Sequence, residues 1–408
     1  MMSNDFDICV IGGGVIGKAS ALALARAGYR VALLTPEGER AAHTHANDAP
    51  WDLRVYALNH IAHRLLSSLK VWDAMDATRI APVDAMAVHG DDAASGHLGF
   101  DAYGAHVGAL AWIVEDGNLN QALDSALRFA DGVTQLRGRA VALARHGQQA
   151  EISLDQGSKI RTSLVLGADG ANSWVRAQAD IGMDYRSYHQ QAVVANFACT
   201  QAHHGVASQW FLGSEGIVAL LPLPGHRVSL VWSAPDTLAD RLLAEPAEHL
   251  AERLTALPGQ TLGEFSPLPP ATPRAFPLRL IRAHSLVAHR VALLGDAAHV
   301  VHPLAGQGMN LGFADVDALL AALREQGQQA DCGDDRLLAR YSRLRKEDVL
   351  LMQWTTDGLQ RLFASQLLPV KMLRNAGMTL LNKLPFIKQR LVSHALGRSH
   401  HSSVNERT

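Results

Sequence analysis

Two stretches carry residues whose types and spacing suit a phosphorylated, hydroxyl-rich ligand. Residues 290–313 read R-V-A-L-L-G-D-A-A-H-V-V-H-P-L-A-G-Q-G-M-N-L-G-F. A buried strand from Val291 to Leu294 is expected to run into Gly295-Asp296. A turn with Pro303 follows, and Gly306-Gln307-Gly308 opens a helix continuing through Leu319. Asp296 can accept hydrogen bonds from ribose-like hydroxyls. The N–H groups of Gly308 and Met309 lie at a helix start, where the dipole favours negative charge. Far upstream, a strand from Phe6 to Ile11 precedes G-G-G-V-I-G at 12–17, a helix from Lys18 to Ala27, a stop at Gly28 and a strand from Val31 to Leu34. In this G-x-G-x-x-G, Gly12 permits the tight turn, Gly14 lets the backbone approach a pyrophosphate, and Gly17 allows close helix–strand packing. The acid that should end the second strand is absent. Thr35 stands there, followed by Pro36 and Glu37, so either Glu37 swings back or Thr35 makes a weaker contact.

The elements that position these motifs are legible in outline. Residues 38–52 form a polar loop with His43, His45, Asn47 and Asp48 but no convincing metal-ligand set. Arg54 to Leu58 leads into an amphipathic helix from Ile61 to Leu69, and Arg54 suits either a phosphate or an ordinary surface ion pair. Residues 82–115 read as strands and loops, and 115–130 as a helix. Strands at 140–145, 150–154 and 160–166 follow, the last ending in Gly167-Ala168-Asp169-Gly170. From 190 to 233 short strands recur between glycine turns, which predicts an antiparallel sheet. Residues 242–257 read as one helix. Six prolines between Pro258 and Pro277 read as a crossing back to the first domain. His299 and His302 lie in the Asp296 turn with no further ligand nearby, so no metal site is expected.

The chain has 408 residues and a net charge of −2, which argues against a nucleic-acid binder. Its charge is uneven: from Arg361 onward there are eight Lys and Arg against Glu406 alone. Three scattered cysteines read as reduced thiols of a cytosolic protein. The acidic start M-M-S-N-D-F-D runs straight into a strand and does not read as a signal peptide.

Three motifs in order, G-G-G-V-I-G at 12–17, G-A-D-G-A-N-S-W-V-R at 167–176 and G-D-A-A-H-V-V-H-P-L-A-G-Q-G-M-N-L-G at 295–312, resemble class A flavin-dependent aromatic monooxygenases. W-D-L-R-V-Y-A-L-N at 51–59, L-L-S-S-L-K-V-W-D-A-M at 65–75, I-V-E-D at 113–116 and L-R-N-A-G-M-T-L-L-N-K-L-P at 373–385 resemble the ubiquinone-biosynthesis hydroxylases of that group. The resemblance implies an α/β fold like that of p-hydroxybenzoate hydroxylase. A Rossmann-like FAD-binding domain would occupy 1–80, 105–182 and 275–335. An antiparallel-sheet substrate domain would occupy 81–104 and 183–274, and C-terminal helices 336–400.

It also implies non-covalent FAD, NAD(P)H as a transient reductant, O2, and a polyprenylated phenol hydroxylated on its ring. Gly12, Gly14 and Gly17 would meet the FAD pyrophosphate, with Arg54 and Gln121 on the flavin side. Asp169 and Gly170 belong to a motif linked to FAD and pyridine nucleotide. Asp296 would take the ribityl hydroxyls. Pro303 would lie against the ring, the backbone of Gly306, Gln307, Gly308 and Met309 would face the flavin pyrimidine, and Asn310 would also bind the cofactor. Pro303, Gly306 and Gly308 thus form the catalytic environment, with no side-chain base assigned. Residues 217–223 and 209–211 are expected to wall the opposite side. Another flavin oxidoreductase on this scaffold, or a non-catalytic flavoprotein subunit of a biosynthetic complex, stays open. The basic, apolar tail at 361–397 suits contact with the inner membrane face or a biosynthetic complex, and equally a cover over the domain interface.

Overall fold

The computed structural model describes residues 4–36, 50–90, 97–302, 307–327 and 330–364. Glu37, the histidine-bearing loop to Asp48, Pro303, Gly306 and the tail beyond 364 lie outside the described residues, as does the Gln307 side chain.

The first sheet runs in the order Val287–Ala288, Val291–Leu293, Lys159–Gly167, Asn4–Ile11, Val31–Thr35, Val133–Arg137. The five strands from Val291–Leu293 to Val133–Arg137 pair parallel. Parallel strands covered on both faces must be apolar throughout, and Ile8 to Val10, Val31 to Leu34 and Leu164 to Leu166 are all buried. Each such Leu or Ile contributes roughly 1.5–3 kcal/mol. The helix Val15–Arg26 connects Asn4–Ile11 to Val31–Thr35. It ends in a Schellman motif: Gly28, at φ +95°, donates to the Ala25 carbonyl at 2.9 Å, and Tyr29 to that of Leu24 at 3.2 Å. Against this helix pack Asp116–Arg128 and Gln307–Gln326.

The second sheet runs His299–Val300, Arg274–Ala283, Met183–Cys199, Arg227–Pro235, Ile217–Leu223, Val206–Phe211, Ala85–His89, His97–Asp101. All of these neighbours pair antiparallel except Val206–Phe211 with Ala85–His89. Val193, Phe197, Trp210, Leu230 and Trp232 bury one face of this sheet against the helices Asp236–Ala244 and Ala247–Thr255. The opposite face, through Ala207, Leu221, Met86 and Phe100, packs on a small sheet of Val55–Leu58, Ala111–Glu115 and Ile80–Val83.

Three expectations change. The helix expected at 242–257 is two helices, because Pro246 forces Glu245 into an extended conformation. The proline-rich stretch 258–277 is not simply a crossing. Phe265–Pro267 and Arg274–Ala283 both pair with Met183–Cys199, so the division at 274/275 cuts a strand whose pairing lies with the antiparallel sheet. Trp210 does not wall the cofactor side. It faces the helices, where its ring N–H donates to the Pro258 carbonyl at 2.9 Å, and its neighbours Gln209 and Phe211 take the other face.

Candidate active site

The three glycines of the first motif have different surroundings. A Cβ on Gly12, at φ +128°, would lie 2.2 Å from the Ala168 carbonyl oxygen. One on Gly17 would lie 2.0 Å from the Gly12 oxygen. One on Gly14 meets nothing within 4 Å. Gly12 and Gly17 therefore close the turn, while Gly14 faces open space at the start of a helix that has no side-chain cap. Those first N–H groups are thus available to an anion. Thr35 ends the second strand, buried, with its carbonyl accepting from Gly138 N–H at 3.1 Å.

The second half of the cradle is packed onto the first through one side chain. Ile16 lies 3.4 Å from where a Gly295 Cβ would stand and 2.8 Å from that of Gly312. Gly295 turns at φ +58° and delivers Asp296 to the cleft. Asp296 is exposed, but its carboxylate has protein on most sides. This burial raises its pKa, against the opposing pull of His299, Arg54 and Arg279. Bound hydroxyl donors would offset that burial, so Asp296→Ala should weaken FAD retention by about 1.5–3 kcal/mol, roughly 10- to 150-fold. Equilibrium dialysis of FAD measures this, and wild-type affinity in the mutant would remove Asp296 from the site.

A buried network fixes that turn. Asp315, fully buried, accepts from Gly295 N–H at 2.8 Å, meets His299 Nε2 at 2.8 Å and accepts from Arg345 Nε at 2.7 Å. Burial pushes the Asp315 carboxyl up, but His299 and Arg345 together outweigh it and hold it below the usual carboxylate value. Tyr341, one turn before Arg345, donates to the Leu293 carbonyl at 2.8 Å. The long helix Asp335–Ala364 thereby braces the strand and turn that present Asp296.

Asp169 acts on its own loop. It accepts from Ser173 Oγ and, at 3.0 Å, from Val175 N–H, organising the short helix Trp174–Gln178. Gly170, at φ +81°, opens onto free space. Arg176 donates to the Ala297 carbonyl at 2.8 Å and the Ala171 carbonyl at 2.9 Å, so the middle motif is tied to the Asp296 turn.

Arg54 is exposed at the start of Val55–Leu58. Its guanidinium stands 5.6 Å from the Tyr56 ring centre and 6.0 Å from that of Phe276. Tyr56 donates to Asp116 Oδ1 at 2.6 Å. The segment leading to Arg54 is clamped: buried Arg79 donates to Glu115 at 2.6 and 2.9 Å and lies over Trp51 at 4.4 Å. Asn196 adds a bond to the Asp52 carbonyl at 2.9 Å. Gln121 is exposed on Asp116–Arg128, one residue from Asn120, which accepts from Lys18 at 3.0 Å.

Gly308 has open space before it, and Met309 is half-buried. Asn310 is used differently from expectation. Its Oδ1 accepts from Asn59 N–H at 2.9 Å and its Nδ2 donates to the Ala57 carbonyl at 2.8 Å, so it ties the helix to the Arg54 strand. Tyr56, Arg79, Asp315 and Arg345 have roles that sequence reasoning missed, because the partners that define them, Asp116, Glu115 and the Asp315–Arg345 pair itself, lie 30 or more residues away along the chain.

The model of the FAD-binding-domain family matches residues 5–352. The chain belongs to that family. It is 36% identical over 393 residues to the ubiquinone hydroxylase UbiL of Rhodospirillum rubrum, covering 96% of this chain and 89% of that one. It is 34% identical over 413 residues to the 3-demethoxyubiquinol 3-hydroxylase of Escherichia coli K12, covering 97% and 100%. The fold matches p-nitrophenol 4-monooxygenase PnpA of Pseudomonas putida with a TM-score of 0.74 at 18% identity, covering 98% and 100%. The residues present fit FAD: a Cβ on Gly14, Gly170 or Gly308 would meet nothing within 4 Å, and Asp296 supplies exposed acceptors.

Proposed function

We propose that the chain is an FAD-dependent monooxygenase that hydroxylates the aromatic ring of a polyprenylated phenol in ubiquinone biosynthesis, using NAD(P)H and O2. The observation that carries this is the near-complete alignment with two ubiquinone-pathway hydroxylases. The inner face of the antiparallel sheet supports it. Val194, Ala219, Leu221 and Val231 alternate onto that face, turned toward the Arg54 strand, and suit an apolar substrate.

Bound FAD supplies the redox chemistry, passing reducing equivalents from NAD(P)H to O2. The chain's own residues bind and orient. The first turn of Val15–Arg26 offers N–H groups to the diphosphate, Asp296 accepts from hydroxyls, and the start of Gln307–Gln326 offers partial positive charge without a titratable group. The apolar face keeps water from the reacting ring. The test is NAD(P)H oxidation with and without a prenylated phenol, with product mass. Stimulated oxidation and a product heavier by one oxygen are expected. Oxidation that the phenol does not stimulate, with no oxygenated product, would favour another flavin oxidoreductase, and no oxidation in either arm a non-catalytic flavoprotein subunit.

We further propose that the tail from 361 brings the enzyme to the inner membrane face or to a biosynthetic complex. Among the described residues no helix is long and apolar enough to cross a membrane. A prenylated phenol partitions into lipid, and each Lys or Arg near an anionic surface adds about 1 kcal/mol. Sedimentation should show binding to anionic but not neutral vesicles, lost at high salt and reduced by Lys371→Glu with Lys388→Glu. No co-sedimentation under any condition would leave protein partners as the delivery route.

A further inference from the structure

We infer that His302 is the proton acceptor for the substrate hydroxyl, held in the required tautomer by Gln190 at a bulge in the antiparallel sheet. The inference rests on the phenol-hydroxylase reading above.

The strand Met183–Cys199 is irregular at one place. Ser187 pairs with Arg279 and Gln191 with Pro277, so four steps along one strand cover two along the other. Two residues are extra, and His189 sits in the left-handed region at φ +52°, its N–H held by Ser187 Oγ at 3.1 Å. Bulges of this kind re-aim side chains and gather beside active sites. On its other edge the strand keeps register, with Gln190 opposite Pro235 and Ala192 opposite Ser233. Gln190 therefore shares the inner face with Ala192, Val194 and Asn196. That face is the one turned toward the Arg54 strand.

Gln190 Oε1 stands 3.3 Å from His302 Nε2. The Tyr188 ring meets the His302 ring edge-on, with centres 5.0 Å apart and planes at 86°. His302 is fully buried and lies six residues after Asp296. Just before it, His299–Val300 pairs with Ile281 and Arg282 of the same sheet. His302 thus occupies the seam between the cofactor turn and the inner face of the substrate sheet. Among the described residues only His299 and His302 are buried histidines; His299 faces Asp315, and His302 faces Gln190 on the substrate sheet.

An amide oxygen only accepts. With Gln190 Oε1 turned to Nε2, the tautomer that suits this pair carries its hydrogen on Nε2 and its lone pair on Nδ1. Ring hydroxylation is helped when the substrate hydroxyl is ionised, and a dry site needs a base that titrates near neutral pH. The O–H bond breaks and an N–H bond forms at Nδ1, giving a phenolate and an imidazolium. The attacked ring carbon takes one oxygen atom of O2 as a hydroxyl and gives up its own hydrogen, which returns to the phenolate oxygen. The other oxygen atom leaves as water, completed by the imidazolium proton, while the NAD(P)H hydride and one solvent proton supply the remaining two hydrogens. The protein neither gains nor loses a proton over a turnover.

The test uses the FAD-loaded full chain and 2-geranylphenol. Without reductant, the absorbance of the bound phenol reports its ionised fraction. With reductant, the single-turnover rate is followed against pH. The wild type should show a phenolate fraction that rises through one step, with a rate that follows it. His302→Asn should lower the phenolate fraction at neutral pH at least about tenfold and slow turnover roughly 10²-fold or more, with FAD content unchanged. Gln190→Glu places a carboxylate on Nε2, stabilises the imidazolium and should move the rate step up by about one pH unit or more. A loss of fold alone predicts no such shift, so this variant decides the matter if His302→Asn does not fold. Wild-type hydroxylation with an unmoved step in Gln190→Glu, or an unchanged phenolate fraction in a folded His302→Asn, overturns the inference alone. Failure of the wild type to hydroxylate any prenylated phenol overturns it together with the functional reading.

Discussion

Gly14→Val is expected to give a folded protein that no longer retains FAD. The side chain would enter open space, since a Cβ there meets nothing within 4 Å, so the chain itself has no reason to unfold. That space is the approach to the first turn of Val15–Arg26. Displacing a diphosphate from two charge-assisted bonds of about 1.5–3 kcal/mol each costs ~10²–10⁴ in affinity. Gly12→Ala and Gly17→Ala supply the contrast. Their Cβ atoms would stand 2.2 and 2.0 Å from backbone carbonyl oxygens, so those variants should lose the fold as well. Flavin fluorescence titration and circular-dichroism melting of the three apoproteins separate the cases. A Gly14 variant that keeps FAD, or that melts as low as the Gly17 variant, would contradict the assignment.

Asp315→Ala should produce the second large effect, on stability. It strips a buried guanidinium, a buried imidazole and the Gly295 N–H of their shared acceptor. Breaking one partner of a buried pair costs about 3–5 kcal/mol. With an unfolding entropy of about 2.1 cal/mol/K per residue, the melting temperature should fall by about 4–6 °C. The pH dependence has a definite sign. A carboxyl depressed in the folded state contributes stability that is complete above its unfolded value, about 3.9, and is lost as pH falls through the folded value. Asp315→Asn should therefore be less stable than wild type at neutral pH, with the gap closing in acid. A gap that stays constant down to the acid transition would argue against a charged Asp315.

The sequence disclosed the parts of this protein that are local. The βαβ unit at 4–35 is a strand, a glycine turn and an apolar helix written contiguously. Gly295-Asp296 announces itself because an acid and a glycine end a buried strand. What stayed hidden depends on partners far along the chain. Asp315 looks like a helix-surface acid until Arg345 and His299 are seen around it. Asn310 sits in a cofactor motif, yet spends its amide on residues 57 and 59. The strand expected from Ala192 begins at Met183, because its first half is largely uncovered, with Tyr185 and Met183 exposed and little alternation to read. Trp210 turns away from the expected cofactor wall; each face of its strand mixes apolar residues with one polar residue, Ser208 or Gln209, so alternation alone does not tell the faces apart.

The cradle's two halves, at 12–17 and 295–308, also set the order in which this chain can mature. The strand Val291–Leu293 pairs beside Lys159–Gly167, so the parallel sheet lacks this strand until residue 293 has been made. Non-local strand pairing is slow and leaves apolar edges exposed while it waits. The glycine turn near the N-terminus is synthesised early, but it has no floor until Ile16 can pack on Gly295 and Gly312. FAD is therefore a ligand of the finished chain. At a hundredfold excess over its dissociation constant it would favour that state by about 2.7 kcal/mol. A cell short of riboflavin should accumulate late, cradle-open chains, and proteolysis would clear them before any shortage of the enzyme's transcript appeared.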